Sequence, residues 1–424
     1  MINMKKFSGP QVVFGCALFI FIVMGGSGIH SSGYSLLPET FGVSVTMLGT
    51  YGMVLTVAGI VSSLMLTAAK KKIGLKGLLY YNAAVQFVVA LCAKFLGNSL
   101  ITLIVFLISI GTTLYAGAHA VQSEIISNWY VKDREKKISI IMGSALLGLA
   151  SYQFVGGQLF SRMSLLDVWF AVYLVNGIAM LLIAKFLIVA EKPEQVGQMA
   201  YGKEALSTAT PAKADTKNSQ NSHSSGSENR PSLYSNPALW LCVLGRLGLC
   251  GGVNYITTYA TMYFTAGGVS LSTASIILTC CTLSATVFSF MNSNILNALK
   301  TRGYIFFLLT GAILANVGMI AYSSYPNIIL IVLIVLFYGI GYSGSHCMNL
   351  VSGIIFDPED AANANSKIYG FGATGGLIML PLNAFIVENF GYNTMYLVIT
   401  LLAVISLVTF QLALAMAKKQ GKSI

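Results

Sequence analysis

The sequence predicts an all-α polytopic membrane protein in which twelve transmembrane helices form two parallel repeats of six. Three observations predict this fold class. Hydrophobic residues make up 55% of the 424 residues and charged residues only 9%, whereas soluble domains carry roughly 25% charged residues. A membrane-spanning helix needs about 20 apolar residues, and twelve apolar runs of this kind can be marked along the chain. The third observation is a set of matching residues in the two halves of the sequence.

The low charge content excludes a soluble enzyme, a nucleic-acid-binding protein and a disulfide-linked scaffold, because charged side chains are too few to solvate a globular surface. The net charge of +11 is explained by basic loops beside a membrane. All seven cysteines fall in apolar runs and lack zinc-type spacing, so we expect structural thiols and no metal site. No P-loop, H-E-x-x-H or G-x-S-x-G motif is present, and the sequence therefore predicts neither an enzyme nor a cofactor.

The apolar runs fall into two sets of six. Spans 1 to 6 lie at about 11–37, 45–68, 77–97, 99–127, 138–160 and 166–190, and spans 7 to 12 at about 237–265, 270–298, 303–323, 326–354, 367–388 and 392–417. Between the sets, Ser207 to Arg230 has almost no large apolar residues, which is typical of disorder. We therefore predict an N-terminal half at 1–190, a cytoplasmic, largely disordered linker at 191–236 and a C-terminal half at 237–424.

The distribution of Lys and Arg predicts the orientation, because cytoplasmic loops are enriched in these residues. The basic clusters that fall on one side of the predicted membrane are Lys5 and Lys6, Lys70–Lys72, Lys132–Lys137, Lys300 with Arg302, and Lys418–Lys422. No small-residue cleavage site follows the first apolar run, so we expect a retained helix rather than a signal peptide. The expected location is the plasma membrane, with both termini in the cytoplasm.

An internal repeat relates the two halves. Tyr115-Ala-Gly117-Ala-His119 matches Tyr342-Ser-Gly344-Ser-His346 at an offset of 227 residues. The same offset pairs Gly143 with Gly370 and Gly148 with Gly375, while an offset of 226 pairs Gly25 with Gly251 and Gly42 with Gly268. Spans six apart run in the same direction, so this repeat is parallel and its axis lies along the membrane normal.

Two glycine-containing stretches and one loop can be compared with a known family. The first stretch is Asn128-Trp129-Tyr130-Val131-Lys132-Asp133-Arg134, followed by Gly143 and Gly148. The second is Tyr369-Gly370-Phe371-Gly372 with Gly375, Gly376 and Pro381. The loop runs from Thr67 to Lys76, contains Gly74 and has no aspartate. With these stretches the chain resembles the major facilitator superfamily, and within it the oxalate/formate-antiporter and monocarboxylate-transporter-like branch. The resemblance implies a secondary transporter whose halves rock about a midplane site. Span 8 lacks the arginine of that branch, and Lys367 stands only at the cytoplasmic start of span 11.

Arg246 is the first candidate for substrate binding. It lies about ten residues into span 7, between Gly245 and Gly248. A charge at the bilayer centre costs at least about 2.5–3.5 kcal/mol on insertion scales, so such a residue needs a compensating role. We expect contact with a substrate or counter-ion. The alternative is a structural arginine bonded to backbone carbonyls or to a tyrosine of a neighbouring helix.

Three histidines complete the predicted site: His30 in span 1, His119 in span 4 and His346 in span 10. The resemblance implies that spans 1, 4, 7 and 10 line the central cavity. Tyr115 and Tyr342 stand four residues before a histidine, on the same helix face. Asn254 in span 7 could add a neutral hydrogen bond. The alternative for each of these groups, as for Gln153, is an interhelical hydrogen bond.

A cavity with a fixed cation and titratable imidazoles favours an anion. The sequence therefore predicts transport of a small organic anion, with a carboxylate preferred, by proton coupling or by exchange. Glu124 is the candidate for a cytoplasmic gate, paired with a loop base such as Arg134 or Lys137. The expected partners are the substrate, protons and the lipid bilayer, with no nucleic acid, and the chain is expected to be monomeric. Two rivals remain open: a carrier of neutral or cationic metabolites or drugs, and a transporter-like membrane sensor that signals through its linker.

Overall fold

The structure is a computed structural model that describes residues 9–113, 119–202, 233–251, 256–343, 355–356 and 358–420. The helices before residue 191 are α1 (Gly9–Gly33), α2 (Leu37–Phe41), α3 (Val45–Phe95), α4 (Leu100–Thr112), α5 (His119–Trp129), α6 (Arg134–Phe160) and α7 (Leu165–Leu182). Those after residue 236 are α8 (Pro237–Gly251), α9 (Ile256–Ala266), α10 (Leu271–Ser324), α11 (Ile328–Ser343) and α12 (Pro358–Lys419). The prediction of an all-helical membrane fold is confirmed. Within the described ranges, eight helical stretches are long and apolar enough to cross a membrane.

Three long helices each hold two of the predicted spans. They change direction at a residue with positive φ: α3 at Gly74 (72°), α10 at Lys300 (55°) and α12 at Gly391 (81°). At two of the three kinks the residue is a glycine, which adopts this conformation without steric cost because it lacks a Cβ atom. The loops that the sequence suggested between these spans are therefore sharp kinks.

Four serines cap the helices that start on one face of the molecule, called here the far side. Ser44, Ser99, Ser164 and Ser270 each accept a hydrogen bond from the backbone N–H three residues later. Such caps satisfy a donor that the first helical turn leaves free. They fix the starts of α3, α4, α7 and α10. The opposite face, from which α8 starts after the linker, is called the linker side.

The packing inside each half confirms the repeat. Gly148 of α6 lies against the backbone carbonyl of Phe21 in α1, with no room for a Cβ atom. Gly375 of α12 lies in the same way against the carbonyl of Leu247 in α8. The two glycines are separated by 227 residues and the two carbonyls by 226, so both halves use one packing arrangement.

The contacts between the halves also follow the repeat. Gly49 of α3 packs on Ala384 of α12, and Gly157 of α6 packs on Ser275 of α10. Gly49 corresponds to Ser275 at an offset of 226, and Gly157 corresponds to Ala384 at 227. The two interfaces are therefore equivalent under a pseudo-twofold operation, as expected for a parallel repeat whose axis lies along the membrane normal.

The halves share a core on the far side and have separate cores on the linker side. The far-side core contains aromatic residues of both halves, including Tyr34, Trp169, Tyr259 and Tyr396. Toward the linker side, one buried cluster is built from residues 12–190 alone and another from residues 238–417 alone. Among the described residues, the halves therefore share their buried apolar core on the far side and have separate cores on the linker side, where Gly143 of α6 packs on Phe290 of α10.

The first residues of the linker are folded onto the N-terminal half. Tyr201 stacks on Tyr130 with ring centroids 5.1 Å apart, its N–H donates to the carbonyl of Trp129 (2.8 Å), and its carbonyl accepts from Val131 (2.9 Å). The Trp129 indole N–H in turn donates to the carbonyl of Ala190 at 3.2 Å.

Burial, and secondarily the charge of a Tyr201 phenolate, raises the pKa of Tyr130 to about 12. Residues 191–202 are thus ordered, because aromatic stacking and backbone pairing hold them. Ser207 to Arg230 lie outside the described residues.

Candidate substrate site and gates

Arg246 lies in α8, the first part of the predicted span 7. It follows Pro237 by nine residues, or about 14 Å along the helix axis, and only 8% of its surface is exposed. Gly372 of α12 leaves no room for a Cβ atom beside the arginine side chain. Gly245 and Gly248 pack in the same way on Phe410 and Ser406 of α12. The glycines of this region therefore bring α8 and α12 together around a buried guanidinium.

His30 lies near the far-side core. Its ring meets the edge of Tyr34 at 5.3 Å and is tilted against Phe106 at 5.4 Å. Its Nδ1 atom is buried without a hydrogen-bond partner among the described residues. Tyr34 continues the contact across the halves, with its ring 5.6 Å from that of Tyr259. His30 thus contacts Tyr34, and Tyr34 contacts Tyr259 of the other half.

The remaining predicted substrate residues are described only in part. Tyr342 of α11 is half-buried and stacks on Tyr338 with centroids 5.4 Å apart. His119 begins α5, but its side chain is outside the described part. Tyr115, Asn254 and His346 also lie outside the described residues. Their convergence on one cavity with Arg246 stays a prediction.

Glu124 has a different partner from the two predicted for it. Its carboxylate pairs with Lys70 Nζ at 2.5 Å, which joins α5 to α3. Arg134 is exposed at the start of α6, and Lys137 Nζ lies 5.4 Å from the ring centroid of Tyr130. Glu124 therefore pairs with a loop base, but in this conformation that base is Lys70 and not Arg134 or Lys137, because α3 brings Lys70 against α5 before its kink. A gating role for Glu124 stays a prediction.

A buried polar chain joins the two halves. Thr282 of α10 donates to Gln153 Oε1 of α6 (2.7 Å), and Gln153 Nε2 donates to Ser31 Oγ of α1 (3.2 Å). Thr261 of α9 donates to the carbonyl of Ser31 at 3.0 Å. All four side chains are less than 9% exposed. The alternative in which Gln153 makes an interhelical hydrogen bond is confirmed. Its partner on α10, Thr282, could not be identified from a local sequence pattern.

Two further hydrogen bonds connect the halves at the far side. Gln158 Nε2 donates to Ser272 Oγ at 2.6 Å, joining α6 to α10. The backbone N–H of Thr46, in the first turn of α3, donates to Glu388 Oε2 of α12 at 2.8 Å. A carboxylate at a helix N-terminus is favoured by the helix dipole. These four residues were not predicted from the sequence, and the one signal they share is a position next to a predicted span end.

The cysteines contribute to packing. The six that the structure describes are free thiols, and Cys16, Cys242 and Cys281 are buried among apolar side chains. A free buried cysteine behaves as a small hydrophobic residue. In the described part of the chain, no group of three His, Cys, Asp or Glu side chains could hold a metal ion.

The fold is similar to those of several solved transporters. A bacterial homolog of the human lysosomal transporter Spinster, in an inward-facing and unoccupied conformation, has a TM-score of 0.72 at 15% identity, covering 100% of this chain and 99% of that one. A D-xylose-proton symporter has a TM-score of 0.73 at 14% identity and covers 94% and 96%. The nucleoside transporter NupG has a TM-score of 0.70 at 14% identity and covers 96% and 98%.

Sequence comparison agrees with the fold. No curated protein matches the chain significantly. The sequence model of the Major Facilitator Superfamily, however, matches residues 16–354, a range that contains Arg246, the Gln153–Thr282 bridge and both equivalents of the Tyr-x-Gly-x-His repeat. The chain therefore belongs to the Major Facilitator Superfamily, whose members are secondary transporters and not enzymes.

Proposed function

We propose that this transporter carries a small organic anion, with a carboxylate as the preferred substrate. The observation that carries the proposal is the buried guanidinium of Arg246, placed about 14 Å along its span. Arginine stays charged at physiological pH and presents a planar fork that matches a carboxylate. A positive charge inside a low-dielectric span raises the local potential, which attracts an anion and repels a cation.

The location and moving parts of the proposed transporter follow the sequence analysis. The protein would act as a monomer in the plasma membrane, with both termini in the cytoplasm. The moving units would be residues 1–190 and 237–424, connected by residues 191–236. With the linker in the cytoplasm, the far side is extracellular, and the core that the halves share on that side favours an inward-facing conformation. The fold supports alternating access, in which the two halves rock about the site.

Uptake into proteoliposomes tests the substrate class. Purified protein would be given labelled carboxylates, amines and neutral solutes of similar size, with protein-free liposomes as the control. We expect carboxylates to be taken up and unlabelled carboxylates to compete. If amines or sugars are taken up at a rate that an anionic competitor does not reduce, the proposal is contradicted. That result would favour a carrier of neutral or cationic solutes.

The linker distinguishes transport from sensing. A variant lacking Ser207 to Arg230 should keep its flux, because the described start of the linker, up to Tyr201, would remain stacked on Tyr130. Loss of a cellular output with unchanged binding would instead favour a membrane sensor.

His119 and His346 are proposed to carry the coupling proton. They occupy equivalent positions in the repeat, and histidine titrates between about pH 5.5 and 7.5. Uptake driven by proton coupling should rise as the pH falls through this range. We expect His119→Gln or His346→Gln to flatten that dependence while counterflow exchange at fixed pH survives, since exchange needs no net proton movement. A pH profile that is unchanged in both variants would reduce the pair to interhelical hydrogen bonds.

A further inference from the structure

An apolar groove runs along the first segment of α3. Its volume is about 730 Å³, and it extends from Thr50 near the far side to Ile73 beside the kink at Gly74. Ile108 and Thr112 of α4 form part of its other wall. The distance from Thr50 to Ile73 is about 35 Å along a helix, close to the roughly 30 Å thickness of the hydrocarbon core.

The groove is open at membrane depth. Val57, Val61 and Met65 line it, and they are 46%, 47% and 60% exposed. In a multi-pass membrane protein, an exposed apolar surface at this depth is suited to contact with hydrocarbon. A flexible acyl chain fits a long and almost wholly apolar groove of this kind.

The linker-side end of the groove is basic. Lys71 and Lys72 stand between the lining residues Ala69 and Ile73 and are exposed. Lys70 is engaged by Glu124, and Lys76 donates to the carbonyl of Val189 at 3.0 Å. Lys71 and Lys72 have no hydrogen bond or ion pair within the described ranges. The ammonium groups of Lys71 and Lys72 are therefore available at the end of the apolar groove that is nearest the membrane surface.

We propose that this groove is a binding site for an anionic phospholipid, with an acyl chain along α3 and the phosphate headgroup on Lys71 and Lys72. The two lysines favour an anionic headgroup, and the apolar groove accommodates an acyl chain. Each lysine near an anionic membrane surface contributes about fivefold in affinity. The site is separate from Arg246, so it does not depend on the proposed substrate.

Native mass spectrometry of the purified full-length protein tests the site. The protein would be titrated with phosphatidylglycerol or with phosphatidylcholine of identical acyl chains. We expect phosphatidylglycerol to bind more tightly, and Lys71→Ala with Lys72→Ala to weaken it by about 25-fold, at roughly fivefold for each lysine. The matched control is Lys418→Ala with Lys419→Ala, an exposed pair at the end of α12, which should leave the affinity unchanged.

A second variant tests the groove itself. Val61→Trp would fill it and should weaken phosphatidylglycerol binding by tenfold or more. Val287→Trp, at a 56% exposed position on α10, is its control and should have no effect. Equal binding of the two lipids would overturn the proposal, as would equal losses in the two lysine pairs or normal binding in Val61→Trp. The melting temperature of each variant shows whether the comparison is made on folded protein.

Discussion

Arg246→Ala and Arg246→Lys are both expected to abolish most of the uptake while expression stays near normal. Removing one partner of a buried, hydrogen-bonded charge pair costs about 2–5 kcal/mol, which corresponds to a loss of substrate affinity of about thirtyfold or more. Lysine keeps the charge but offers a single ammonium point instead of a bidentate fork. The measurement is the initial rate of proteoliposome uptake against substrate concentration.

Arg302→Ala is the matched control for the Arg246 variants. Arg302 follows the kink of α10 on the linker side, where its Nε atom donates to Gln411 Oε1 at 2.8 Å and the side chain is exposed. We expect its loss to leave the KM unchanged. Full flux in Arg246→Lys would reduce Arg246 to a generic positive charge. Full flux in Arg246→Ala would remove it from the substrate site.

Cross-linking of Gln158→Cys to Ser272→Cys is expected to stop transport completely. The native side chains meet at 2.6 Å between α6 and α10, so a short thiol-reactive cross-linker should join the two cysteines in a background without native cysteines. Opening of the far side requires these helices to separate. The cross-linked protein should therefore bind substrate from the linker side but not release it on the far side, and cleavage of a reducible linker should restore the flux.

The control cross-link lies on the same side within one half. Ser164→Cys and Asp167→Cys replace two residues whose side chains meet at 2.6 Å at the start of α7. Joining them constrains no movement between halves, so flux should persist. Complete cross-linking of residues 158 and 272 with full flux would show that α6 and α10 stay together during transport, which contradicts a rocking mechanism at this interface.

Local properties of the chain were sufficient to predict the spans and the repeat. Apolar length determines whether a segment can cross the membrane, because every buried backbone group must be satisfied within the helix. The offsets of 226 and 227 residues were visible in a few glycines and one Tyr-x-Gly-x-His pattern. The structure gives these glycines a shared reason, since Gly148 and Gly375 meet equivalent carbonyls in α1 and α8.

The linker shows the limit of such local reasoning. The composition that predicts disorder is that of Ser207 to Arg230, whereas the start of the linker is held by Tyr201, which stacks on Tyr130 seventy-one residues earlier in the chain. Similarly, the gate candidate Glu124 has three nearby bases on the same side of the membrane, and charge alone does not determine which of them pairs with it. The choice of Lys70 depends on how α3 packs against α5.

The sequence by itself determined that this protein is a twelve-span, two-repeat membrane transporter with a charge buried in span 7, because hydropathy, loop charge and repeated spacing are written in consecutive residues. Only the tertiary structure decided which polar groups bridge the halves, where Glu124 finds its partner and on which side the halves share a core. The hydrogen bonds between the halves join residues more than a hundred positions apart, such as Gln153 and Thr282, and Lys70 and Glu124 are 54 positions apart. Within lipid, helices associate through close packing and interhelical hydrogen bonds rather than through hydrophobic burial, so their partners depend on helix rotation and approach, which no local pattern encodes.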